Sequence, residues 1–203
     1  MKTSLLLLCS ALLLLSGCQT TETLNTWSAG SQSEKFTRVL VIAGLKEPAY
    51  RNLLEEKLVT TLKAENINAV ALSTQYPDSG NIDKAQADAA VKETGADSVM
   101  VVRLVDTRKE FTHTPGTTYI PGAYGGRYGM GYFGYYGGGL MAYNTPGYTT
   151  EYNISTVETT VFSAASNQRV WSTITETTDT SVKSAIDSYC KVVGKAVKAS
   201  GLF

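Results

Sequence analysis

The sequence predicts an α+β fold. The expectation is a mixed sheet of about five strands with three helices packed on it, in the order β-α-β-α-β-β-β-α. A long Gly/Tyr-rich insert falls between the third and fourth strands. Three observations lead there. A short apolar run, Arg38 to Gly44, is followed at once by leucines at helical spacing. Two Thr/Val/Tyr-rich runs flank a short polar turn at Ala164–Gln168. The chain closes on one amphipathic stripe, from Val182 to Val197.

The elements follow in order. Arg38–Gly44 is apolar at nearly every position and ends in glycine, which reads as a buried strand. Pro48 suits the first turn of a helix. Tyr50, Leu53, Leu54, Leu58 and Leu62 supply its apolar side, with Arg51, Glu55, Lys63 and Glu65 on other faces. Asn68–Leu72 is a second strand, and Tyr76–Gly80 carries turn residues. An alanine-rich helix over Asp83–Thr94 stops at Gly95. Ser98–Arg108 is the third strand; residues 149–163 and Arg169–Glu176 form the hairpin. The last helix has Asp179 or Thr180 as candidate N-caps and Gly201 as its stop. Helices on one face of the sheet would bury all these stripes in a single core.

The insert, residues 116–148, breaks every such pattern. It holds 11 of the 18 glycines and 8 of the 12 tyrosines, and Arg127 is its only charge. Glycine makes backbone order expensive, and few aliphatic groups offset that cost. A segment of this length is a functional or a disordered loop. It reads as a flexible surface loop, as a binding arm whose tyrosines give contact area at low entropy cost, or as a membrane-inserted hairpin of an oligomeric pore. Pro115, Pro121 and Pro146, and the lack of apolar alternation, weigh against the pore. Tyr124, Tyr128, Tyr132, Tyr135 and Tyr136 are the candidate partner-binding residues. Gly129–Gly134 spells the dinucleotide fingerprint by letter, but no strand precedes it and no helix follows.

The N-terminus combines Lys2, a leucine-rich run from Leu5 to Leu15, and small residues, as a secretory signal does. The run is short for a bilayer span. It closes on Leu15-Ser16-Gly17-Cys18, which resembles the lipobox of bacterial lipoproteins. The resemblance implies a signal peptide over residues 1–17, recognised through Leu15, Ser16 and Gly17. It also implies diacylglycerol on the Cys18 thiol and an acyl chain on its new amine. At about 0.8 kcal/mol per buried methylene, several chains make a lasting anchor. Gln19, where the family's inner-membrane members commonly carry aspartate, implies the outer membrane. Residues 18–35 are polar and read as a lipidated tether, leaving 36–203 as a single domain.

Without residues 1–17 the chain has 17 basic and 18 acidic side chains, since Lys2 is the signal's only charge. No basic tract is present, so nucleic acid is an unsuited partner. Cys190 is the one cysteine left beside Cys18, which excludes an internal disulfide, and it reads as a buried small residue. His113 is the lone histidine and no Gly-x-Ser-x-Gly occurs, so neither a zinc site nor a serine hydrolase can be assembled. Glu55-Glu56 are adjacent on a helix and diverge; Asp106, Arg108 and Glu110 alternate along a strand as a solvated face. The expectation is no catalytic residue, no metal and no cofactor beyond the covalent lipid.

The second half, with residues 116–148, the turn Val161–Trp171 and the helix 180–200, resembles a family of uncharacterised Gly/Tyr-rich bacterial lipoproteins. Asn167-Gln168 stands where that family has a turn glycine. The element order is more remotely similar to the curli secretion channel lipoprotein, the N-terminal domain of TolB and the lipoprotein activator of a penicillin-binding protein. These likenesses imply fold and location only. The anchor, the Tyr-rich arm and the lack of a catalytic constellation together give the expectation of a non-enzymatic, periplasm-facing binding or assembly module, with a membrane contact through its lipid and an envelope protein as partner. The alternative is a subunit of an oligomeric outer-membrane secretion-type pore. Replacing Cys18 by serine should abolish acylation and leave residues 1–17 attached, which intact mass of the membrane fraction reads directly.

Overall fold

The computed structural model describes residues 20–29, 35–77, 84–119, 143–179 and 181–203. They divide into two compact units, one of residues up to Arg108 together with Asn153–Phe203, the other Lys109–Tyr152. The first unit is built on a six-stranded mixed sheet with three helices, one strand more than the sequence suggests.

In chain order the elements are β1 (Thr21–Ser28), β2 (Val39–Gly44), α1 (Pro48–Ala64), β3 (Ala69–Ala71), a 3₁₀ turn (Leu72–Thr74), α2 (Lys84–Thr94), β4 (Ser98–Thr114), β5 (Thr117–Tyr119), β6 (Tyr143–Thr145), β7 (Tyr148–Ser163), β8 (Arg169–Asp179) and α3 (Val182–Ser200). The main sheet runs β1-β8-β7-β4-β2-β3. β2 is parallel to β3 and to β4, while β8 is antiparallel to β7 and to β1.

Residues 39 to 43 of β2 alternate between two cores. Val39, Val41 and Ala43 face α1 and α3; Leu40 and Ile42 face Ala90 and Val91 of α2. The expectation of all helices on one face is therefore corrected. The reason is topological. The chain crosses from β2 outward to β3, then back over β2 to β4, and two crossovers of the same hand taken in opposite directions put their helices on opposite faces.

The larger core joins Leu54, Leu58 and Leu62 of α1 to Ile186, Cys190, Val193 and Val197 of α3, above Met100, Val102, Val161 and Trp171 of the sheet. Gly194 marks the closest approach of the two helices. A Cβ there would lie 2.7 Å from the Thr61 methyl. That methyl is fixed, because the Thr61 hydroxyl donates to the Lys57 carbonyl at 2.9 Å and so sets the rotamer. Ser181, one residue later than expected, caps α3 by accepting from Ser184 N–H at 3.2 Å. Asp179 accepts from Ser181 N–H, and Gly201 ends the helix in the left-handed conformation at φ 67°. Leu202 then returns to the start of the domain, its carbonyl accepting from Phe36 N–H at 2.8 Å.

β1 is the largest departure from the sequence reading. Residues 18–35 read as a tether, yet Thr21–Ser28 pairs along its length with β8. The strand lacks apolar alternation: only Thr21 of it is buried, and Thr21 and Thr26 meet threonines of β8. The Thr21 and Thr177 hydroxyls lie 2.8 Å apart, and those of Thr26 and Thr173 3.2 Å apart. Cross-strand threonine pairs of this kind contribute about 0.2–1 kcal/mol each. Trp27 lies on the outer face with the Arg169 guanidinium 4.4 Å from its ring centroid.

Gly194→Ala should destabilise the domain by about 1–3 kcal/mol through overpacking. Adding Thr61→Ser, which removes the opposed methyl, should recover most of that loss in urea unfolding.

Candidate functional site

Cys18, Leu15, Ser16 and Gly17, and the tyrosines 124, 128, 132, 135 and 136, all lie outside the described residues. What the structure provides is the frame from which the insert departs and the surfaces of the scaffold.

The second unit contains that frame. Thr117, Thr118 and Tyr119 pair antiparallel with Thr145, Asn144 and Tyr143, so the two ends of residues 120–142 are held side by side. The ladder depends on glycine at its mouth. A Cβ on Gly116 would lie 2.7 Å from the Thr145 carbonyl oxygen, and one on Gly147 would lie 2.8 Å from Gly116 N. Backbone to backbone, that approach admits no side chain. Outside the glycines, Lys109 pairs with Glu151 at 2.5 Å and His113 Nδ1 lies 3.2 Å from the Thr149 hydroxyl. His113 is exposed, and Phe111 and Tyr148 also present their rings to solvent.

The residues considered for catalysis are dispersed. Cys190 is buried in the helix–sheet core, and burial pushes its thiol up to about 12, so it stays protonated. Beside it, the Tyr189 hydroxyl lies 2.6 Å from that of Thr159; burial raises its pKa, which that bond partly opposes. Arg108, read as part of a solvated face, forms an ion pair with Glu176 at 3.0 Å, and Arg103 pairs with Glu158 at 2.6 Å. Among the described residues no group of three or more His, Cys, Asp or Glu side chains is placed to hold a metal.

A buried polar cluster was hidden from sequence reasoning. The α1 stripe is rotated from its expected position: Tyr50 is exposed, whereas Arg51 and Glu55 are fully buried. Glu55 accepts from Ala43 N–H at 2.8 Å through one oxygen and from Ser73 N–H at 2.7 Å through the other. Arg51 donates to the carbonyls of Pro77 at 2.8 Å and Tyr76 at 3.3 Å. Glu55 thus ties the end of β2 to the 3₁₀ turn after β3, and Arg51 holds the backbone that follows that turn, which makes them structural. The signal was present as spacing, since positions 51, 55, 58 and 62 share one helical face, but charge at two of them concealed it. Glu56, by contrast, points into an open groove with Asn52, Thr60 and Lys63, against the edge strand β3. The divergence of Glu55 and Glu56 is thus as the sequence suggests.

Asp97 performs a similar closing task where β4 begins. It accepts from Thr37 N–H at 2.7 Å, the Thr37 hydroxyl at 2.8 Å and Arg38 N–H at 3.0 Å. Burial works to raise its pKa, but the Arg38 and Thr37 donors outweigh burial and hold the carboxyl below its ordinary range.

Both edges of the main sheet are open among the described residues. At the β1 edge a groove is lined by Thr26, Ser28, Trp171, Ala196, Ala199 and Ser200. β1 carries no lysine or proline, the usual devices that discourage strand addition.

No family model and no curated protein matches this chain. Among solved structures, it is similar to the PelC dodecamer from Paraburkholderia phytofirmans in two crystal forms. One shares 12% identity, with 88% of this chain and 96% of that chain covered, at TM-score 0.47. The other shares 14% identity, with 85% and 94% covered, at TM-score 0.46. Lipoprotein GNA1162 from Neisseria meningitidis is similar over 80% of this chain and 99% of its own, at 8% identity and TM-score 0.43. At these values the likeness assigns no residue a role.

Glu55→Ala should leave two inward N–H groups unpaired and cost about 2–5 kcal/mol. Glu55→Gln, which keeps an acceptor oxygen, should cost less. Chemical denaturation of the two variants makes the comparison.

Proposed function

We propose that the chain is a lipid-anchored, non-enzymatic lipoprotein of the cell envelope, held at the outer membrane through Cys18, that binds an envelope partner through its tyrosine-rich insert. The observation that carries this reading is the β5–β6 ladder. It holds the ends of residues 120–142 together at Tyr119 and Tyr143, and glycine at 116 and 147 lets the backbones meet there. A segment closed in this way is presented as one unit, and tyrosines 124, 128, 132, 135 and 136 within it offer aromatic contact area with little rotamer entropy to lose. The buried cysteine and the dispersed carboxylates support binding over catalysis.

A second reading, a subunit of an oligomeric secretion-type pore, is favoured by the open β1 and β3 edges, which can carry a sheet from one copy to the next.

Deletion of residues 116–147 should abolish partner capture from envelope extracts, read by crosslinking, while thermal unfolding of the remainder stays cooperative. Capture that survives deletion contradicts the binding-arm reading. A large closed oligomer that persists in light scattering on both forms supports the edge-paired ring instead.

A further inference from the structure

The outer edge of β1 presents backbone groups that no strand among the described residues pairs. Which groups point outward follows from the bonds at its two ends. Thr178 N–H donates to the Thr20 carbonyl, so Thr20 and Glu22 bond toward β8 while Thr21 and Thr23 point away from it. Ala29 N–H donates to the Val170 carbonyl, so Asn25 and Trp27 bond toward β8 while Thr26 and Ser28 point away. The irregularity at Leu24 separates the two halves. The open edge therefore offers Thr21, Thr23, Thr26 and Ser28, with a bulge at its middle.

That set is its own complement. An antiparallel second copy that places Thr21 opposite the partner's Ser28 also places Thr23 opposite the partner's Thr26. It is the one register in which all four outward residues of each copy meet outward residues of the other. About eight main-chain hydrogen bonds form there, two for each pair. The two bulges coincide, with Leu24 opposite the partner's Asn25. Thr23 on Thr26 and Thr21 on Ser28 are hydroxyl pairs, so the new edge repeats what β1 already does with Thr177 and Thr173 of β8. Beside Thr26 and Ser28 on that face lies the groove to which α3 contributes only Ala196, Ala199 and Ser200, small side chains that leave room for the partner's threonines.

Charge is matched in the same register. Glu22 is exposed and has no ion-pair partner among the described residues. It falls opposite the partner's Trp27, in a pair not bonded across the new edge, the kind whose side chains approach most closely. The Arg169 guanidinium lies 4.4 Å from the centroid of the Trp27 ring. Each copy thus brings a free carboxylate toward a cation that an indole holds in place, and no like charges are opposed.

We infer that β1 is a dimerisation edge, at which two copies of this chain join their sheets across a two-fold axis, β1 against β1, in that register. The contact is isologous and closes at two copies, unlike a head-to-tail run of β1 onto β3. The interface is narrow, so the dimer dissociates on dilution. It requires neither residues 120–142 nor a lipid on Cys18, and so stands apart from the binding-arm reading.

The test is sedimentation of the full chain in detergent over a concentration series, with thermal unfolding as the check on fold. Glu22→Arg and Arg169→Glu should each raise the dimer dissociation constant about tenfold or more, because the two-fold axis presents each contact twice. The doubly reversed chain should return to within a few-fold of the original. Disulfide trapping reads the register. A mixture of Thr23→Cys chains and Thr26→Cys chains should crosslink under mild oxidation. Neither variant alone should do so, since its own two new thiols lie about 10 Å apart along the paired strands. Cys190 is buried and does not compete, and any link through Cys18 appears in the mixture and the single variants alike. A folded chain that stays monomeric at every concentration overturns the inference. So does an oligomer that neither charge reversal weakens and the mixed cysteines do not trap, which means that the copies join elsewhere.

Discussion

The structure depends on a strand that must be covered on both faces. Val39, Leu40 and Val41 of β2 are wholly buried, and no arrangement with helices on one side could achieve that. The parallel pairings of β2 with β3 and β4, reached by crossovers in opposite directions, bring α1 to one face and α2 to the other. That choice leaves backbone groups at the end of β2 and in the chain after β3 to be satisfied inside the protein, and Glu55 and Arg51 do so from the buried side of α1. The antiparallel half then extends the sheet, with α3 covering Trp171 and the threonine rows of β7 and β8.

Much of this was legible in the amino-acid sequence, and the exceptions share a cause. The Val39–Gly44 run announces itself by being apolar throughout, the last helix by an apolar stripe of regular period, and the hairpin about Asn167 by two Thr/Val-rich runs on either side of a polar turn. Positive φ at Asn167, 55°, shows how that turn dispenses with glycine. Where inward residues are polar, periodicity is silent. β1 pairs through threonine hydroxyls and so looked like a tether. The α1 stripe was misplaced because two of its buried positions carry charge. Coverage of both sheet faces was implicit in the unbroken apolar run of β2, which an alternating strand would not need.

The residues proposed for function divide in the same manner. The Leu15–Cys18 pattern is readable because a processing reaction demands particular residue types at fixed spacing. A binding surface makes no such demand, so the tyrosines of the insert are marked only by composition. The structure adds the part composition could not supply: the paired strands at the two ends of the insert, the glycines that let them meet, and a sheet whose first strand begins three residues after Cys18.

That first strand matters most, since it makes an integral sheet edge of an expected tether. Hydrogen exchange of the acylated full chain, followed on a peptide covering Thr21–Ser28, tests it. The account predicts that the amides of this peptide paired to β8 are protected alongside those of β8 itself, and that those facing the open edge exchange sooner. Exchange of the whole peptide at the rate of an unstructured chain would contradict it.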